Sequence, residues 1–202
     1  MILLALLTMS ATAGSISPTT AHLADIPGVA VTYYDVTGRD IPEIHRSLSK
    51  AASHDPQSQR AIPATSGWSI AAAVKWTRTG KRCVINNVRL NFTATATMPH
   101  LVAGKETPAP VLAAWHRYVD ELEARQAEQL RFVYDRRSMV EQAIRQSSCD
   151  GWQSAADAAL TRLRSQQSAF VERQARLQPK LPAPADGSSR ERPDGDSTNT
   201  HP

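Results

Sequence analysis

Long apolar runs, recognisable catalytic motifs and cysteines are all scarce in this chain of 202 residues. No stretch approaches the roughly 18 apolar residues that an ordinary membrane-spanning helix needs. Neither a G-x-x-x-x-G-K-S/T phosphate loop nor a G-x-S-x-G nucleophile turn occurs, so the usual signs of nucleotide and serine hydrolases are missing. The six histidines are His22, His45, His54, His100, His116 and His201, and no two are three or four residues apart. That spacing is what places two metal ligands on one helix face. The two cysteines, Cys83 and Cys149, are too few for a disulfide-dense miniprotein and lack metal-ligand spacing. A net charge of +4 comes from Lys and Arg spread along the chain rather than gathered, which argues against a nucleic-acid partner.

What the chain does have is enough apolar side chain, 41% of residues, to build one packed core. The ends differ from the middle. Met1 to Met9 is apolar except for Thr8, and Ala11-Thr12-Ala13 offers an A-x-A cleavage pattern. Residues 1–13 are expected to be a secretory signal peptide, the other reading being a buried N-terminal element. Residues 178–202 hold five of the 13 prolines and almost no large apolar side chain after Leu181; such a segment is expected to be a disordered tail.

Between the ends, Val29 to Val36 is β-branched and aromatic and reads as a strand, and Pro42 with Ile41, Ile44 and Leu48 reads as a short helix. Ser53 to Ser66 reads as a loop. Trp68, Ile70, Ala72, Val74 and Trp76 share one parity, as do Val88, Leu90, Phe92, Ala94, Ala96 and Met98, which predicts two strands with one buried face. Thr79-Gly80-Lys81 is the expected turn between them, Asn86-Asn87 changes the parity and predicts a bulge, and Pro99 is expected to end the second strand. A long helix is expected over Ala109 to Gln146 and a second over about Trp152 to Leu177, with Ala156, Leu160, Leu163, Gln167, Phe170 and Leu177 inward. The fold class is therefore α+β: a small antiparallel sheet of about three strands packed on a long helix and a C-terminal helix.

The long helix carries an anomaly. Val111, Trp115, Tyr118, Leu122, Gln126, Gln129, Val133, Arg136, Val140 and Ile144 lie within about 40° of one line at 3.6 residues per turn. The stripe is apolar at both ends but holds Gln126 and Gln129 in its middle, with Arg125 at the margin. Polar side chains on a core-facing line need partners or water. The interruption marks either a site or a stretch of helix that overhangs its sheet.

Several pieces, taken in order, resemble the DUF922 family, described as predicted secreted zinc-dependent proteases of bacteria. They are Tyr33 to Gly38, Gly67-Trp68-Ser69-Ile70, Cys83, the alternating strand ending in Met98-Pro99, Trp115-His116-Arg117-Tyr118 and Cys149. The resemblance implies a DUF922-like domain over 29–177. In that family the long helix carries H-E-x-x-H about ten residues after the Trp: two zinc ligands one turn apart, with a Glu that activates water. The matching positions here are Arg125-Gln126-Ala127-Glu128-Gln129. Arg125 is always protonated near neutral pH and cannot bind zinc, Gln126 has no basic carboxylate, and Gln129 is a poor neutral ligand. The family's Tyr-Asp-containing, His-Gly-ending segment after the second cysteine has no match either; the nearest stretch is Phe170-Val171-Glu172-Arg173.

On the residues alone, Cys83 and Cys149 are a bridge or two buried thiols; the resemblance pairs them as a disulfide of an oxidising compartment. The resulting expectation is a catalytically inactive relative of a secreted zinc protease, with no catalytic residue, metal or other cofactor. It would be exported to the periplasm or beyond and serve as an envelope binding or structural module. Its partner would be an envelope protein or peptide, with no nucleic acid and no integral membrane segment once the signal is removed. The alternative is an active zinc-dependent peptidase or other hydrolase with a displaced or atypical site.

Overall fold

A computed structural model of the chain describes residues 22–104, 106–174 and 181. The expected signal peptide at 1–13, Leu177, and the expected tail apart from Leu181 lie outside the described residues. Among the described residues no helix is long and apolar enough to cross a membrane.

The chain opens with a 3₁₀ turn, Leu23–Asp25, followed by strand β1, Val29–Thr37, and helix α1, Ile41–Ala51. The helix starts where a capping residue and a proline coincide. The Asp40 carboxylate accepts the Glu43 N–H at 2.8 Å, and Glu43 reaches back to accept the Arg39 N–H at 2.9 Å. The first bond satisfies an amide that the first helical turn would otherwise leave open, and the second ties down the residue before the cap. Ser53 to Ser66, expected as a loop, instead forms a small hairpin of β2, Ser53–His54, and β3, Ala61–Ile62, with the next strand already under way at Thr65.

The main sheet is completed by β4, Thr65–Thr79, and β5, Arg82–Val102, in the order β1-β5-β4. β4 and β5 pair antiparallel across the two-residue turn Gly80-Lys81. Gly80 has φ +61, the left-handed conformation that the first central residue of a type II′ turn requires. β1 joins the other side of β5 in parallel register, Val29 opposite Ala94 and Thr37 opposite Val102. The three-stranded sheet is thus mixed rather than wholly antiparallel. β1 and β5 enter the sheet from the same end, and β4 fills the far edge.

Period two works as expected in β5: Val88, Phe92, Ala94, Ala96 and Met98 are buried while Thr93 and Thr95 are exposed. β5 does not end at Pro99. β4 reaches only to Thr65, opposite Thr97, so beyond that point β5 has a single neighbour, the edge setting in which a strand tolerates proline. Pro99 sits fully buried opposite Tyr34, and the strand continues to Val102.

One face of the sheet carries all the long helices. The expected single helix is two, α2, Ala109–Arg136, and α3, Ser138–Arg145, with Arg137 between them. At the break the Arg137 N–H bonds three residues back to Tyr134 and the Val140 N–H three back to Arg137. The axis is thereby redirected without a Pro or Gly. α2 packs Trp115, Tyr118, Leu122, Leu130 and Val133 on Ile70, Phe92 and Met98. α3 carries Val140 and Ile144 to a second cluster around Val88. Helix α4, Trp152–Gln174, contributes Leu163 to the first cluster and Ala156 and Ala159 to the second. Leu181 returns to the first core and is buried there.

The Asn86 bulge is present. Lys75 pairs with Asn87, yet Trp76 pairs with Ile85, so Asn86 is the extra residue. Cys83 and Cys149 are bridged, with Cα atoms 5.9 Å apart. The bridge ties the end of the β4–β5 hairpin to the α3–α4 connection.

Candidate functional site

The polar interruption of the long helix opens onto a cleft of about 680 Å³. Its floor is the middle of α2, with Arg125, Gln126 and Gln129. One wall is the chain from the β2–β3 hairpin to the start of β4, Asp55 to Ser66, and the other is the end of α4, Gln167 to Glu172. The sequence reading thus located the floor. It missed the walls, with one partial signal: Gln167 breaks the apolar face of α4 as Gln126 breaks that of α2.

Arg125, Gln126 and Gln129 each do different work in the cleft. Gln126 is buried, and its Nε2 donates to the Ala64 carbonyl at 3.4 Å. Its Oε1 has no hydrogen-bond partner among the described residues. The neighbouring Pro63 carbonyl accepts the Tyr34 hydroxyl at 2.7 Å. Two successive carbonyls are therefore held from inside, which fixes the strand entry above the helix. Burial raises the Tyr34 phenol to about 12, so it stays the neutral donor that this bond needs.

Arg125 reaches across to α4, where it donates to the Gln174 carbonyl at 2.9 Å. Burial lowers its pKa, opposed by Glu128 and Glu121, but guanidinium remains charged at any ordinary pH. Gln174 in turn donates to Glu128. Gln129 is half-buried on the cleft floor. On α4, Gln167 accepts the Trp68 indole N–H at 2.6 Å through Oε1, leaving its Nε2 as a donor on the cleft wall.

This donor set does not fit zinc. Zinc needs three protein ligands from His, Cys, Asp or Glu for a catalytic site; the floor offers one cation and two amides. Among the described residues no histidine lines the cleft, and no group of three or more such ligands gathers anywhere. Two carboxylates do line it, Asp55 and Glu172. The Ser58 hydroxyl at 2.6 Å and the Gln57 N–H at 3.0 Å hold Asp55 below the usual carboxylate range, which makes it a weak base. The arrangement can donate and accept hydrogen bonds from a fixed frame.

No curated protein and no solved structure matches the chain. The model of one family, described as a bacterial protein of unknown function, matches residues 31–176, which take in β1 through α4 and the cleft. The chain belongs to the DUF922 family.

Proposed function

We propose that this protein is a non-catalytic binding module of the bacterial envelope, derived from a zinc-peptidase-like ancestor whose cleft it keeps. The observation that carries the reading is the cleft itself, about 680 Å³ in volume, on whose floor Arg125 and Gln126 donate to main-chain carbonyls and Gln129 is half-buried. The occupant is an extended peptide. It lies along the free edge at Thr65 and Ser66 and adds a strand by main-chain pairing, and the Gln167 and Gln129 amides meet its peptide groups from the opposite side. Export is supported by the Cys83–Cys149 bridge, which an oxidising compartment maintains.

The test is selection of displayed peptides on the immobilised full chain, followed by binding to a Gln129→Trp variant in which the indole fills the cleft. Peptides that bind the wild type and lose binding to the variant, at an unchanged denaturation midpoint, support the reading. Peptides bound equally by both place the site elsewhere. Cleavage of any selected peptide by the purified protein contradicts a non-catalytic role.

A further inference from the structure

Between Asp55 and Glu106 the sequence contains no Asp or Glu, so all of β4 and β5 lacks carboxylates. The outer end of their hairpin concentrates the cations of that stretch. The register fixes which side chains share the solvent face: Ala73 with Arg89, Lys75 with Asn87, Thr77 with Val84, and Thr79 with Arg82. Paired residues in an antiparallel ladder point the same way, and Lys81 sits in the turn beside them. Lys75, Lys81, Arg82 and Arg89 are all exposed, over a span of about 20 Å for the six residue-to-residue steps from Ala73 to Thr79.

None of these four makes an ion pair among the described residues. Asp150, next to Cys149, is bound through both oxygens by Arg78, at 2.7 and 2.6 Å. Arg78 lies on the opposite parity, with Cys83, facing the helices. In the middle of the cations stands Val84, 58% exposed. The bridge through Cys83 holds the hairpin end against the helical layer, which keeps this face presented.

We propose that the outer face of the β4–β5 hairpin is a docking surface for an anionic phospholipid bilayer. A flat face of four cations complements a plane of phosphate headgroups, and Val84 among them supplies apolar contact at the interface. The face carries no aromatic side chain, since Trp76 has the inward parity, so it offers no platform for stacked bases. The face lies apart from the cleft, and the proposal stands whether or not the cleft binds peptide.

The full chain is tested by co-sedimentation with vesicles of phosphatidylglycerol mixed with phosphatidylcholine, and of phosphatidylcholine alone. The wild type should pellet with the anionic vesicles only, and about 0.5 M salt should release it. Each basic side chain near such a surface is worth roughly a fivefold change in partitioning. Lys75→Glu/Arg82→Glu/Arg89→Glu should therefore lose at least about a hundredfold. The control Arg117→Glu/Arg131→Glu/Arg162→Glu has the same net charge but changes exposed helix positions, and it should still bind. Failure of the wild type to pellet overturns the proposal, as does equal loss in both variants. Tight binding to a single-stranded oligonucleotide without vesicle binding replaces it with a nucleic-acid surface.

Discussion

Gln126 on α2 and Ala64 at the entry to β4 are 62 residues apart in sequence and joined by a side-chain amide to main-chain carbonyl bond of 3.4 Å. The side chain holds the strand beside the cleft. Its amide is what permits this, because an amide can donate to a carbonyl and an ionised carboxylate cannot.

Gln126→Glu should therefore destabilise the fold by about 2 kcal/mol or more at neutral pH, since it buries a charge facing a carbonyl oxygen. Burial would raise the folded-state pKa of the new carboxyl above its unfolded value of about 4.3. Below that pH both states are protonated and the penalty vanishes. As pH rises through it, the unfolded state ionises first and stability falls until the folded pKa is passed. Urea midpoints at pH 4 and pH 7 check this: the gap between variant and wild type should widen at the higher pH.

Asn86 sets the direction of Cys83. Were the strand regular through Asn86, Cys83 would share the parity of Asn87 and Arg89, on the face away from the helices. Deleting Asn86 should remove the bulge and leave every other pair in register, Cys83 still opposite Arg78, so the native variant should expose no thiol to a thiol reagent. The bridge spans a sequence separation of 66, so its loss by Cys149→Ser should cost about 4 kcal/mol in the chain-entropy account. Denaturation with and without reductant measures that difference.

Phe92 is 6% exposed and packs edge-on against Tyr134, ring centroids 5.4 Å apart. Phe92→Ala should cost about 3–5 kcal/mol, whereas Thr95→Ala on the opposite face should change stability by less than about 0.5 kcal/mol. An unmoved midpoint for Phe92→Ala would mean that the buried face has been misassigned.

Much of this was legible in the residues. Alternation from Val88 to Met98 gave the buried face of β5, and the parity change at Asn86-Asn87 gave its bulge, because strand periodicity is a direct readout of which side meets the core. The Gln126 and Gln129 interruption marked the cleft floor for the same reason on a helix. What escaped detection depends on neighbours distant in sequence. The parallel pairing of β1 depends on β5 entering between strands. The continuation through Pro99 depends on β4 ending at Thr65. The break at Arg137 has no Pro or Gly to announce it. The cleft walls come from Asp55 to Ser66 and the end of α4, and neither segment carries a local pattern that aims it at α2.

Zinc content tests the central claim most directly. Full-length protein is dialysed free of loosely bound metal and analysed for zinc per chain, beside Arg125→His/Gln126→Glu/Gln129→His. The account predicts no zinc in the wild type. In the triple variant it predicts only weak retention, because two ligands and a base are rebuilt but no third ligand is at hand. One zinc per wild-type chain that is lost on changing Gln129 would contradict the account and make the protein a metallohydrolase with an atypical site.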